Sequence, residues 1–168
     1  MLSGGTFNVS DSYFELNTVP IEVFYGDSVQ ITNCEFNNFG LFSGPYSEWW
    51  YDSGIRLIQT ENVEISNNSM TGYNPEGLMV FSECNNVSLS GNTFEIGTDG
   101  LLYDADADDI GFESYFAALE FKLCDTVSVS SNEFTVNAVD YTTPWVYFKY
   151  GFGTTCLSGN RFTFSLSL

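Results

Sequence analysis

The chain has 168 residues, of which 43 % are hydrophobic, so it is long enough for one domain with a hydrophobic core. It carries 22 acidic and 4 basic residues and no histidine, which gives a formal net charge of −18. This charge argues against nucleic acid and anionic membranes as partners. No apolar run approaches the ~20 residues of a membrane-spanning helix, so we expect no membrane insertion.

The first residues, Met1–Gly5, have neither the basic start nor the apolar run of a secretion signal. A sequence repeat is already present at Phe7 and is still present at Phe162. We therefore expect residues 1–168 to form a single domain that belongs to a longer or polymerising chain.

The repeat is an eight-residue pattern that occurs six times. Its first and third residues are mostly apolar and alternate with polar ones, which predicts a half-buried strand. A pair of small polar residues or glycines follows and predicts a turn, and the eighth residue is Phe or Met. With the first residue of each copy as position 0, the copies begin at Phe7, Val29, Val63, Val87, Val127 and Thr155.

A second predicted strand precedes most copies, with apolar residues at positions −8 and −6. Each unit is therefore a strand, a bend, a strand, a turn and a third short strand around position +7. The first two copies start 22 residues apart, and longer spacings later indicate insertions at one corner. In the last copy the apolar residues are displaced by one position. The −8 and −6 pairs are Ile21/Val23, Ile55/Leu57, Met79/Phe81 and Leu119/Phe121, and the displaced residues are Val146, Phe148 and Tyr150.

This pattern resembles the right-handed, single-stranded parallel β-helix of the pectate-lyase-like fold. The resemblance implies an all-β chain of about six rungs, with equivalent residues stacked about 4.8 Å apart. It also implies an internal asparagine ladder at position +5, which Ser12 and Cys34 would interrupt in the first two rungs. An antiparallel sandwich does not require the same residue at the same offset in every copy, so we favour the β-helix. The predicted ladder residues are Asn68, Asn92, Asn132 and Asn160.

Two aromatic stretches, Gly40–Gly54 and Tyr141–Gly153, are candidates for carbohydrate contact. Exposed Trp and Tyr rings could stack on sugars, because each combines a flat apolar face with a polar group. We favour the alternative that these rings cover the flank of the helix or contact another subunit. The candidate residues are Trp49, Trp50, Tyr51 and Trp145.

The insertion Asp99–Asp109 is rich in carboxylates, which are ligands that Ca²⁺ prefers. It lacks the glycine and the terminal glutamate of an EF-hand loop. A solvated acidic loop is therefore the favoured interpretation, Ca²⁺ is the alternative, and no other cofactor is expected. The candidate ligands are Asp104, Asp106, Asp108 and Asp109.

Catalysis is disfavoured by the residues that the resemblance would require. Lyases of this fold use Ca²⁺-binding acids with a basic residue, and the hydrolases use clustered aspartates with histidine and basic residues nearby. The chain has no histidine, and we expect Arg56 and Lys122 to share one outward row without a recurring pair of acids. We predict no catalytic residue, although two carboxylates suffice for a glycosidase, so a polysaccharide lyase or glycoside hydrolase is the alternative.

The cysteines Cys84 and Cys124 both lie at position −3 of neighbouring copies. Stacking at about 4.8 Å would allow a disulfide between them. Buried free thiols are the alternative. We favour the disulfide, and with it an oxidising compartment. Cys34 and Cys156 are several rungs apart and cannot pair within the chain.

Three N-glycosylation sequons begin at Asn8, Asn67 and Asn86. Their number is what chance predicts, but all three positions should point outward or lie in turns.

We therefore expect a non-catalytic structural module of a secreted or cell-surface protein, glycosylated and stacking end to end into a filament. The alternatives are a carbohydrate-binding or carbohydrate-cleaving domain that uses Trp49–Tyr51, and a fibre-type adhesin of a virus or phage.

Overall fold

The structure, a computed structural model, describes residues 4–15, 20–39, 54–72, 78–97, 118–137, 146–150 and 153–165. These residues form three parallel sheets, named A, B and C in the order in which the chain visits them. Each turn of the chain through A, B and C is called a rung. No described helix is long and apolar enough to cross a membrane.

Sheet A contains the strands that begin each repeat. It is formed by β1 (Thr6–Ser10), β4 (Ser28–Thr32), β7 (Glu61–Ser66), β10 (Asn85–Ser90), β13 (Asp125–Ser130) and β16 (Thr155–Ser158). Sheet B is formed by β2 (Tyr13–Glu15), β5 (Glu35–Phe39), β8 (Ser69–Gly72), β11 (Thr93–Gly97), β14 (Glu133–Asn137) and β17 (Arg161–Ser165). Sheet C is formed by β3 (Ile21–Phe24), β6 (Ile55–Ile58), β9 (Met79–Ser82), β12 (Leu119–Lys122) and β15 (Val146–Lys149).

Neighbouring strands pair at equivalent repeat positions, so each position forms a row along the helix. Val63, Val87 and Val127 are consecutive partners in sheet A, for example. The predicted all-β parallel β-helix of about six rungs is confirmed. The strand β15 is also in register, because Val146 pairs with Leu119. The one-position displacement of the apolar residues that the sequence shows in the last copy is therefore caused by one extra residue between β15 and β16.

The core consists of the inward rows of the three sheets, and its largest fully buried side chains are phenylalanines, which stack on one another. Phe94 stacks on Phe134 with ring centroids 4.7 Å apart, and Phe134 stacks on Phe162 at 4.9 Å. A second stack in sheet C joins Phe81 to Phe121 at 4.8 Å. The spacing equals the distance between strands, so each rung buries its aromatic ring against its neighbours. Full burial of such a side chain is worth about 1.5–3 kcal/mol.

Left-handed backbone occurs at two corners of the rungs, and in three rungs also at position −1, at Asn62, Asn86 and Thr126. At position +4, between sheets A and B, φ lies between 49° and 64° in all six rungs. These residues are Asp11, Asn33, Asn67, Gly91, Ser131 and Gly159. After each strand of sheet C, φ lies between 51° and 60°. These residues are Tyr25, Gln59, Glu83, Leu123 and Tyr150. The sequence predicted a turn at the first corner and a bend at the second. Asn and Gly indicate the left-handed conformation at the first corner, whereas the residue types at the second do not.

Candidate functional site

The internal asparagine ladder is present and joins the rungs along the inner side of the +5 corner. The Asn92 Nδ2 donates to Asn132 Oδ1 and to the Ile65 carbonyl, each at 2.9 Å. The Asn92 backbone N–H also donates to Asn132 Oδ1 at 2.9 Å. The same contacts join Asn68 to Asn92. The predicted ladder is therefore confirmed, and each amide satisfies buried backbone groups that would otherwise cost about 1–3 kcal/mol apiece.

The ladder does not stop where the sequence predicted, because Cys34 takes part in it. The Cys34 backbone N–H donates to Asn68 Oδ1 at 2.8 Å. Its thiol lies 3.8 Å from the Val9 carbonyl, in the direction in which the asparagines donate to the preceding rung. At the other end, Asn160 Nδ2 donates to the Val129 carbonyl at 2.8 Å. Ladder contacts therefore run from Val9 to Asn160.

Cys84 and Cys124 lie in neighbouring rungs as expected, but they are buried free thiols. The structure therefore contains no disulfide between them, and the predicted one is not observed. The Cys84 thiol donates to the Leu57 carbonyl at 3.3 Å, and the Cys124 thiol donates to the Phe81 carbonyl at 3.5 Å. Both thiols therefore have a main-chain carbonyl of a preceding rung as a hydrogen-bond partner. The hydrogen bond with Cys124, together with burial, raises the pKa of the Cys84 thiol, so this thiol stays protonated. The argument for an oxidising compartment that rested on the disulfide is removed.

The three sequon asparagines are all exposed, as their repeat positions require. Asn8 lies on the outer face of β1, Asn67 occupies the left-handed corner, and Asn86 is an exposed residue of β10 with φ 51°. The Asn86 side chain donates to Asn62 Oδ1 at 3.2 Å. Glycosylation of the three residues stays a prediction.

The candidate residues of the aromatic and acidic insertions lie outside the described residues, so their predictions are not tested. This applies to carbohydrate contact at Trp49, Trp50, Tyr51 and Trp145, and to Ca²⁺ binding at Asp104, Asp106, Asp108 and Asp109. Within the described ranges, no group of three or more Cys, Asp or Glu side chains lies close enough to hold a metal ion.

Basic residues are rare in this chain, and two of them pair with acids of neighbouring rungs. Arg56 contacts Glu22 at 3.0 Å, and Arg161 contacts Glu133 at 3.4 Å. The predicted common row for Arg56 and Lys122 is wrong. Arg56 is equivalent to Glu120, and Lys122 lies two positions further along the strand. The expectation counted Lys122 two positions from its true place in the repeat.

The two end rungs expose residues of the core rows. Leu157 is 53 % exposed and Phe162 is 47 % exposed, whereas their equivalents Leu89 and Phe94 in an inner rung are both 0 % exposed. At the other end, Phe7 is 37 % exposed. The edge strands here are β1 and β2 at one end and β16 and β17 at the other. Each end therefore combines an apolar surface with strand edges, a combination that favours pairing with another strand.

The end rungs also differ in charge. Residues 4–27 contain four acids and no base, namely Asp11, Glu15, Glu22 and Asp27. Residues 146–165 contain two bases, Lys149 and Arg161, and no acid. In a chain with only 4 basic residues, this distribution gives the two ends opposite formal charges, and two of these residues, Glu22 and Arg161, also form ion pairs within the chain.

A family model described as a right-handed beta helix region matches residues 1–166. Searches of curated proteins and of solved structures each give no match. The match covers nearly the whole chain and agrees with the three parallel sheets.

Proposed function

Since the chain belongs to the right-handed β-helix family, we propose that it is a non-catalytic structural module that stacks head to tail with further copies of itself. The observation that carries this proposal is the complementarity of the two end rungs. One end is acidic and the other is basic, and both expose apolar residues that are buried in inner rungs.

The contact between opposite ends is heterologous, so it repeats and generates a filament. Association costs about 4–15 kcal/mol in lost translational and rotational freedom, so one exposed side chain could not support it. Burial of Phe7, Leu157 and Phe162 contributes at most about 1.5–3 kcal/mol each. Main-chain pairing of β16 with β1 and of β17 with β2 adds hydrogen bonds. The contact between opposite charges adds specificity for head-to-tail over head-to-head pairing.

The proposal that the module is non-catalytic is supported by the ion pairs that two of the basic residues form. The Arg56 and Arg161 side chains are engaged in ion pairs between rungs, a structural use of the few cations present. The exposed positions of Asn8, Asn67 and Asn86 support a glycosylated protein that is secreted or held at the cell surface.

Charge reversal at one end tests the proposal. We expect Arg161→Glu to weaken self-association at least tenfold, because it places an acid against the acidic rung of the next copy. The measurement is analytical ultracentrifugation of the purified chain over a range of concentrations, with electron microscopy of the most concentrated sample.

The matched control is Lys122→Glu, which makes the same change in net charge at an exposed position of β12, in sheet C and one strand inside its edge strand β15. The control should associate like the wild type. A wild-type chain that stays monomeric at millimolar concentration, or an equal effect of both variants, would contradict the proposal.

A further inference from the structure

We infer that stacked copies join in the register of the internal rungs, with β16 of one copy against β1 of the next and β17 against β2. This inference rests on the proposed head-to-tail stacking and specifies its contact. Position by position, it sets Leu157 against Val9, Phe162 against Phe14 and Cys156 against Asn8.

The aromatic row supports this register. Within the chain, Phe14 stacks on Phe36 with ring centroids 4.8 Å apart, and Phe162 stacks on Phe134 at 4.9 Å. Phe14 and Phe162 lie in the outermost described strands of sheet B, β2 and β17. In the inferred register Phe162 and Phe14 meet, and the stack continues at the spacing that it has inside the chain. Such pairs are worth about 0.5–1.5 kcal/mol beyond the area that they bury.

The asparagine ladder supports the same register, because Ser12 of the next copy takes the position that follows Asn160. Inside the chain, the residue in that position accepts the backbone N–H of the rung before it, as Asn160 Oδ1 does from Asn132 at 3.0 Å. A serine hydroxyl can accept one hydrogen bond and donate another. Ser12 Oγ, which donates to the Ser10 carbonyl at 2.8 Å in the single chain, can therefore accept from the Asn160 N–H in the stack.

The charged row completes the contact. Arg161 is exposed and lies in the row of Tyr13, which is also exposed. In the inferred register the guanidinium faces the Tyr13 ring, with Asp11 and Glu15 of the same rung two positions away on either side. A guanidinium over an aromatic ring contributes about 0.5–1 kcal/mol at an exposed site. A slip by one residue would turn every one of these side chains to the wrong face.

Sheet C behaves differently, because its described strands number five against six in sheets A and B. The inferred junction therefore leaves one strand position between β15 of one copy and β3 of the next. An open cavity of about 310 Å³, lined by residues 4–7 and 23–26, lies at this position on the acidic end. Direct pairing at the junction therefore involves two of the three sheets.

Disulfide trapping tests the register, because Cys156 is an exposed free thiol in the wild type. In the inferred register, Asn8→Cys places a second thiol in the neighbouring strand at about 4.8 Å between Cα atoms, within the range that a disulfide accepts. Mild oxidation should then convert at least half of the chains into a ladder of dimers, trimers and longer species on a non-reducing gel. Mass spectrometry should identify a peptide that joins residue 8 to residue 156.

The matched control is Gln30→Cys, in the same outward row but one rung further from the end, at about 9.6 Å from Cys156. It should not cross-link. The variant Asn8→Cys with Cys156→Ser should not cross-link either, which excludes pairing between two copies of residue 8.

The two proposals fail in different ways. Assembly by ultracentrifugation without the 8–156 cross-link, or with equal cross-linking of Gln30→Cys, overturns the register and leaves head-to-tail stacking in place. Absence of assembly overturns both.

Discussion

At the scale of single residues, small hydrogen-bond donors occupy the inner side of both corners. Ser12 Oγ and Cys34 Sγ each donate to the carbonyl two residues earlier, at 2.8 Å and 3.3 Å. At the other corner, Thr60 Oγ1 does the same at 3.2 Å, and Cys84 Sγ lies 3.5 Å from the equivalent carbonyl, that of Ser82. The cysteines are therefore equivalent to serine and threonine in this fold. Their shared position is explained by this donor role and does not require a bond between sulfur atoms.

The number of free thiols per chain can be measured. We expect one thiol per chain, that of Cys156, to react rapidly with a thiol reagent in the native protein, because the other three cysteines are buried. In denaturant without reductant, all four should react. Titration with a chromogenic disulfide reagent measures both numbers. A count of two in denaturant would show that Cys84 and Cys124 are joined after all.

At the scale of the elements, the two corners differ in what the sequence could predict. Asn67 and Gly91 indicate a turn by residue type, because Asn and Gly adopt left-handed backbone at little cost. Leu123 and Glu83 carry no such signal. Their conformation is imposed by stacking, since the Glu83 backbone N–H donates to the Lys122 carbonyl at 2.7 Å in the next rung. A contact between residues so far apart in the sequence is not visible in a local pattern.

The difference between local sequence signals and contacts between rungs also explains which other features could be predicted. The strands, the rows and the ladder were predictable because each copy repeats the residues that form them. The extension of the ladder through Cys34 was not, because it depends on a backbone N–H that every residue type provides. The sequence also contains the acidic segment 4–27 and the basic segment 146–165. Their opposite charges suggest a contact between copies only once the fold shows that the two segments lie at opposite ends.

The left-handed corner of Leu123 offers a test at this scale. Leu123 has φ 56° and is 48 % exposed, so its side chain gains little from burial. Left-handed backbone costs such a residue about 1–2 kcal/mol. We expect Leu123→Asn to raise the free energy of unfolding by about 0.5–1 kcal/mol, measured by urea denaturation. Leu123→Ala is the control and should not stabilise, because alanine keeps the backbone cost. Equal stabilities of the three proteins would show that this corner is not strained.

At the scale of the whole molecule, two electrostatic effects oppose each other in the proposed stack. Every copy carries a formal net charge of −18, so copies repel one another at long range. The attraction between Arg161 and the acidic rung acts at short range, inside the contact. Salt screens charges that lie further apart than the Debye length and screens close, partly buried pairs much less. The balance between repulsion and attraction therefore depends on ionic strength.

This balance gives the last prediction. Raising the salt concentration from 0.01 M to 0.15 M shortens the Debye length from about 30 Å to about 8 Å, which removes most of the repulsion between copies and little of the contact energy. We expect self-association of the wild type to strengthen over this range, as measured by light scattering at fixed protein concentration. The Arg161→Glu variant should associate more weakly than the wild type at both concentrations. The opposite result is that salt dissolves the wild-type assemblies. That result would show that attraction between the charged ends contributes more binding energy than the strand edges and exposed core residues. The inferred in-register contact would then lose its main support.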